Sequence, residues 1–368
     1  MTDQIKQRIR KVRKALQRRK LDAVLISQPE NRRYLSGYTA ADHGIQESSG
    51  MLLIPKKGRP LLLTDSRFQL QAEQEAAEFT VELYKKGLLA LLRKLLPALK
   101  IERLGFESHY FLHSSAARLQ KMTGKIGVEL EPLTGLIERM RKIKTEKEIQ
   151  LLKKSVLLNE QVFQTVYKII EPGMSEIEIA LALEQTMRKM GAEGSSFDTI
   201  VAFGSNAAKP HAVPTNRVLR SGEIVLIDMG LVLQGYCSDM TRTFVVGKPK
   251  RKFVRRLRVV RKAQLAGMKA IRAGVSCRDA DKAARRVIAE AGYGDFFGHS
   301  LGHGVGLAVH EAPSLSPRSK QKLQPGMIVT VEPGIYLPDW GGIRLENMVV
   351  VREDGCEILN KDLTGLEL

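Results

Sequence analysis

Acidic residues set in the middle of apolar, β-prone runs constrain this chain more than any other feature. Asp228 stands in EIVLIDMG, directly after Val225, Leu226 and Ile227. Asp239 follows in SDMTRT, Glu332 in VTVEPG and Glu346 in IRLEN. Strands with such neighbours are buried, and a lone carboxylate taken out of water costs several kcal/mol unless it is paired or binds a cation. A fold that accepts these strands must bring the four acids to a place where something positive can meet them.

Spacing argues that the first two converge. If Gln234-Gly235 forms a two-residue turn, cross-strand partners sum to 469. Asp239 then faces Gly230, and Asp228 lies diagonal to it on the same face. Such diagonal neighbours sit roughly 7–8 Å apart at the backbone, within reach of one ion for two short side chains. Glu332 and Glu346 share a face if the loop between their strands has an odd number of residues, and the sequence leaves that register open. His303 lies in HSLGHGVG, where Gly302, Gly304 and Gly306 argue against helix and for close backbone approach. Any one of these residues alone is better explained as an ion-paired strand acid or a hydrogen-bonded histidine. Four carboxylates and an imidazole together make a hard donor set for two divalent ions, Mn²⁺ first, with Co²⁺, Zn²⁺ or Fe²⁺ as alternatives. Two such ions lower the pKa of a bridging water and steady a tetrahedral intermediate.

The surrounding pattern divides the chain in two. Its 368 residues suit two domains. In the first, residues 1–20 read as a helix, DAVLISQ as a buried strand, and MLLIP and PLLLTD as a hairpin around KKG. PENRRYLSGY reads as a turn into irregular chain, residues 66–78 and 86–99 as helices, and RLGFE as a strand. Strands alternating with helices imply an α/β layer over residues 1–134. Residues 135–368 read as α+β with an antiparallel sheet. There Thr145 with Glu148 and Ser175 with Glu178 are capping boxes opening helices to about Ile170 and Gly191, and a third helix starts after Ser276.

The net charge of +19 is concentrated in residues 6–20 and 248–262. Both runs carry apolar residues at helical spacing: Ile5, Ile9, Val12 and Leu16, then Phe253, Leu257 and Val260. They read as amphipathic surface helices rather than a nucleic-acid surface, since aromatics are only 5% and no nucleic-acid motif accompanies the charge. No apolar run is long enough to span a membrane, and three scattered cysteines (Cys237, Cys277, Cys356) suit a reducing cytoplasm.

The motifs SNAAKPHAVPTNR, IDMGLVLQGYCSDMTRTF, HSLGHGVGLAVHEAP, VTVEPGIY and GGIRLEN, with NRRYLSGY and LLLTDSRF upstream, resemble the pita-bread metallopeptidases. The branch is that of Xaa-Pro aminopeptidase and prolidase. The resemblance implies a creatinase-like α/β domain followed by a pita-bread catalytic domain. It implies two ions held by Asp228, Asp239, His303, Glu332 and Glu346, with Asp239 and Glu346 bridging and Glu332 also shuttling a proton. It makes His211 a substrate contact near the reacting centre, His310 an oxyanion stabiliser, His299 a neighbour of the proline-side pocket and Arg344 an orienting group. Thr241 is expected to hydrogen-bond a ligand carboxylate, and Cys237 to be a buried thiol. Ala308 and Asn347 depart from residues common in relatives, and neither is a ligand.

The expected activity is removal of an N-terminal residue preceding proline, with peptides bearing proline second as substrates. Xaa-Pro dipeptidase is the alternative, since the aminopeptidase reading leads only narrowly. A creatinase-type amidinohydrolase is disfavoured by the intact ligand set, and a methionine aminopeptidase by the extra N-terminal domain. A non-catalytic pita-bread binding module is the reading from another class. The resemblance also implies a homodimer.

Overall fold

The structure, a computed structural model, describes residues 2–361. Met1 of the first expected helix and residues 362–368 of the expected second domain lie outside the described residues. The chain forms two compact units, Met1–Met140 and Arg141–Leu368.

The first unit opens with α1 (Thr2–Arg19), which buries Ile5, Ile9, Val12 and Leu16 on one face. Six strands follow: β1 (Ala23–Ile26), β2 (Met51–Pro55), β3 (Leu61–Thr64), β4 (Thr80–Leu83), β5 (Arg103–Glu107) and β6 (Glu129–Leu133). They form one sheet in the order β4-β3-β2-β1-β5-β6. The expected hairpin is β2 against β3. PENRRYLSGY is not a turn. It forms α2 (Pro29–Ser36), with Pro29 in the first turn, where its missing N–H leaves no bond unmade, and Gly37 closing it at φ 81°. Arg32 within it is fully buried and donates to the carbonyls of Ala40 and Gly50 and to Asp42, so its charge faces inward, against the usual reading of an NRR run. The remaining helices are α3 (Gln69–Glu75), shorter than expected, α4 (Leu88–Ala98) and α5 (His113–Gly124). Few apolar positions mark α5, and it is not legible in the sequence. A single turn, α6 (Glu138–Arg141), falls at the boundary between the units.

In the second unit both capping boxes are present. Thr145 opens α7 (Glu146–Tyr167), and Ser175 opens α8 (Glu176–Lys189). The strands are β7 (Gly194–Ser195), β8 (Ile200–Phe203), β9 (Ile224–Met229), β10 (Leu231–Leu233), β11 (Tyr236–Cys237) and β12 (Met240–Val245). Helices α9 (Arg251–Ala270) and α10 (Cys277–Glu290) come next. The chain returns through β13 (Gly302–Gly304), β14 (Glu311–Leu315), β15 (Ile328–Val331), β16 (Gly334–Leu337), β17 (Gly341–Arg344), β18 (Asn347–Val351) and β19 (Cys356–Ile358). All strand pairs of this unit are antiparallel.

Helices cover these sheets as two separate pairs, each with its own core. Val162 and Leu183 of α7 and α8 pack with Val201, Val225 and Ile227. Val260, Ala263 and Ile288 of α9 and α10 pack with Val329, Val331 and Ile343. The basic run at 248–262 leads into and forms the first part of α9, with Phe253, Leu257 and Val260 buried as its spacing requires.

Candidate metal centre and cleft

The register of the first hairpin follows the expected sum. Leu233 pairs with Tyr236, Met229 with Met240 and Asp228 with Thr241, across a turn in which Gln234 and Gly235 both have positive φ (50° and 83°). Asp239 enters just before β12, diagonal to Asp228. The second hairpin, whose register the sequence leaves open, closes through residues 338–340, and Leu337 pairs with Gly341. Val331 pairs with Asn347 on the flanking strands. Glu332 and Glu346, one residue beyond that pair, therefore lie opposite each other. His303 sits on β13, where a Cβ on Gly302 would collide with the Thr330 carbonyl and one on Gly304 with that of Ala312. These are the close approaches that its glycine neighbours signal.

The side chains meet. One ligand atom each of Asp239, His303 and Glu346 lie within 4.8 Å of one another. His303 Nε2 is 3.5 Å from Asp239 Oδ2 and 3.4 Å from Glu332 Oε1. Thr241 donates to Glu346 Oε2 at 2.7 Å, as expected of it, and Thr330 donates to Glu332 Oε1 at 3.0 Å. The Asp228 carboxylate is held by an arginine, with Arg344 Nη2 donating to its Oδ2 at 2.6 Å.

Electrostatically this is an unsatisfied place. Burial, then the charges of Glu346, Asp228 and Glu332, push the Asp239 carboxyl well above the usual carboxylate range. Burial, then Glu332 and Asp228, does the same to Glu346, and burial pushes Glu332 up to about 7. Asp228 Oδ1 and Glu346 Oε1 are buried without a hydrogen-bond partner among the described residues. His303 Nδ1 faces the Gly304 carbonyl at 3.1 Å, so it carries the ring proton. Burial lowers this histidine to about 4, leaving the Nε2 lone pair turned toward two carboxylates. Orphaned carboxylate oxygens and an imidazole lone pair aimed at one point are the donors that a divalent cation uses. The residues fit such an ion.

Beside the cluster opens a cavity of about 850 Å³, lined by the five residues together with His211, His299, His310 and Arg344. The five expected ligands and the four expected substrate-side residues thus border one space. His310 stacks obliquely on His303, with ring centroids 4.3 Å apart. His299 also lines the cavity, its Nδ1 bonded to Ser300 O and its Nε2 2.9 Å from the Tyr336 hydroxyl. Burial brings His299 down to about 4. Since its Nε2 must accept, Tyr336 donates to His299 and itself accepts from Arg344 Nη1 at 2.7 Å. Arg344 also bonds Thr241 Oγ1 and the Pro210 carbonyl, next to His211. Tyr336 and Thr330 are functional neighbours that sequence reasoning does not single out. Both stand an even number of residues from Glu332, and that alternation was the available signal.

The Metallopeptidase family M24 model matches residues 150–353, and the Creatinase/Prolidase N-terminal domain model matches residues 8–143. This chain belongs to metallopeptidase family M24. Among solved structures, this M24 chain is similar to an Xaa-Pro dipeptidase from Bacillus anthracis, with 40% identity, TM-score 0.91 and coverage of 97% of this chain and 98% of that one. It resembles an X-Pro aminopeptidase from Thermotoga maritima at 39% identity and TM-score 0.85, covering 93% and 96% of the two chains. It also resembles a prolidase from Pyrococcus horikoshii at 34% identity and TM-score 0.88, covering 98% and 99%. The fold is the pita-bread fold of these neighbours, preceded by a creatinase-type domain. No helix among the described residues is long and apolar enough to cross a membrane.

Proposed function

We propose that this M24 peptidase hydrolyses Xaa-Pro dipeptides. The observation that carries the reading is the convergence of Asp239, His303 and Glu346 within 4.8 Å, beside carboxylate oxygens that no group among the described residues satisfies. The relatives favour a dipeptidase over the aminopeptidase that leads on sequence alone, since the similar chains from Bacillus anthracis and Pyrococcus horikoshii carry the dipeptidase and prolidase names. The Thermotoga maritima relative keeps aminopeptidase as the second reading.

In this reading Asp228, Asp239, His303, Glu332 and Glu346 hold two divalent ions, manganese in first place. Such ions supply Lewis acidity, making water a stronger nucleophile near neutral pH and offsetting negative charge as it develops. The chain's own groups do the rest. Glu332, its Oε1 steadied by Thr330, takes a proton from the attacking water and returns it to the proline nitrogen. His310 donates to the oxygen of the scissile carbonyl as it gains charge. His211 and His299 border the substrate, and the forked Arg344 guanidinium holds Asp228, Tyr336 and Thr241 in place. A homodimer in the cytoplasm completes the proposal, with sedimentation testing the first part.

The deciding experiment pairs metal analysis of the purified chain with cleavage of Xaa-Pro and Xaa-Pro-Yaa peptides. Metal-dependent cleavage confined to the dipeptides is expected. Equal cleavage of longer peptides would replace dipeptidase by aminopeptidase, and a chain that takes up metal yet cleaves neither would overturn the enzyme reading.

A further inference from the structure

The segment RKIKTEKE at 141–148 lies far along the chain from the cleft residues, and the proposed reaction makes no use of it. Yet its Arg141 and Lys144 are buried, and both reach one carboxylate. Lys144 Nζ lies 3.3 Å from Glu311 Oε2, while Arg141 Nη2 donates to Glu311 Oε1. Glu311 directly follows His310. Its Oε1 also accepts the backbone N–H of Ala308 at 3.1 Å, and a Cβ on Gly306 would stand 2.7 Å from its Oε2. The carboxylate is therefore packed against the connection 305–310 and bonded to it.

That connection joins His303 to His310, and its course is irregular. His303 pairs with Ser314, so an unbroken ladder would set Gly304 opposite Pro313; instead Gly304 pairs with Glu311. The two-residue slip brings the His310 ring back over His303. Burial alone would raise the Glu311 carboxyl, and Lys144 and Arg141 outweigh it, holding the group below its ordinary range and so charged. Apolar groups of similar volume would fill such a space at no loss of stability. What the ion triad adds is a defined geometry: a carboxylate anchored from one side and bonded to a slipped loop on the other.

We infer that Glu311, anchored by Arg141 and Lys144, is a positioning residue that sets the slipped connection and so holds His310 beside His303. The inference rests on the reading of His310 as a substrate-side group.

The test compares wild type with Glu311→Gln and with a combined variant, Arg141→Met, Lys144→Met and Glu311→Leu, which removes all three charges. The combined variant is expected to fold, to keep its divalent-metal content and to hold KM within about threefold. Its kcat should fall about 100-fold, the scale expected of a catalytic group misplaced by about 1 Å. A crystal structure of it should show the two imidazole rings moved apart. Wild-type kcat in the combined variant, or an unchanged ring separation, overturns the inference. Failure of that variant to fold also overturns it, because the triad would then be serving the fold at large. If the wild-type chain cleaves no Xaa-Pro peptide, the functional reading falls, and the ring separation decides this inference independently.

Discussion

Asp239→Asn distinguishes a metal centre from an ordinary buried ion pair, because the two respond with opposite signs when metal is absent. Ligand atoms of Asp239 and Glu346 lie within 4.8 Å. Two unit charges at that separation repel by about 3 kcal/mol at an effective dielectric constant of about 20. The wild type can escape repulsion by keeping a proton on one carboxyl, but against an unfolded-state pKa near 3.9 this costs about 4 kcal/mol at pH 7. Either way the metal-free chain carries a burden of about 3–4 kcal/mol that an uncharged amide relieves in part. The folded Asp239 carboxyl titrates above its unfolded value, so metal-free wild type is most stable at acid pH and loses stability as pH rises from about 4 toward the raised folded value.

Thermal unfolding in chelator and in Mn²⁺, across pH, checks this. In chelator at pH 7 the variant should be more stable than wild type by about 1–3 kcal/mol, with a flatter pH profile. In Mn²⁺ the order should reverse, and Xaa-Pro cleavage by the variant should be lost. If Asp239→Asn instead destabilises the chelated chain by about 3–5 kcal/mol, Asp239 is one half of a structural ion pair and the reasoning fails.

Two further outcomes follow from the cleft. Arg344→Lys keeps the charge but cannot hold Asp228, Tyr336 and Thr241 at once, so kcat/KM on an Xaa-Pro dipeptide should fall about 10–100-fold; an unchanged value would remove Arg344 from the site. His299, lowered to about 4 by burial, should stay neutral above pH 5 in an NMR titration of the metal-free chain, and a midpoint above 6 would contradict its placement. Because its unfolded form binds a proton near 6.5 while the folded form resists until about 4, this residue should cost the fold up to about 3 kcal/mol as pH falls through that window.

Legibility of the fold varied with how local its causes are. Thr145 and Ser175 announce α7 and α8 because a capping box is complete within four residues. The amphipathic spacing of Phe253, Leu257 and Val260 likewise reveals α9. PENRRYLS misleads because its two arginines suggest a solvated turn. The carbonyls of Ala40 and Gly50, the carboxylate of Asp42 and the hydroxyl of Ser49, supplied from elsewhere in the chain, make a buried Arg32 tolerable.

The same division runs through the site. Taken alone, the sequence determined that Asp228 and Asp239 share a face as diagonal neighbours, because a two-residue turn leaves a single register and alternation then assigns every face. It also exposed the four acidic metal-binding candidates, since a carboxylate inside an apolar strand demands compensation wherever that strand lies, and the glycines around His303 marked the fifth. Tertiary structure decided what compensates whom. It brought Glu332 and Glu346 opposite each other across a three-residue loop, joined Arg344 to Asp228, and linked Arg344 to His299 through Tyr336. Those contacts join residues up to 116 positions apart in the chain. No local propensity specifies such a meeting, which arises only when the packed sheets carry the strands to a common edge.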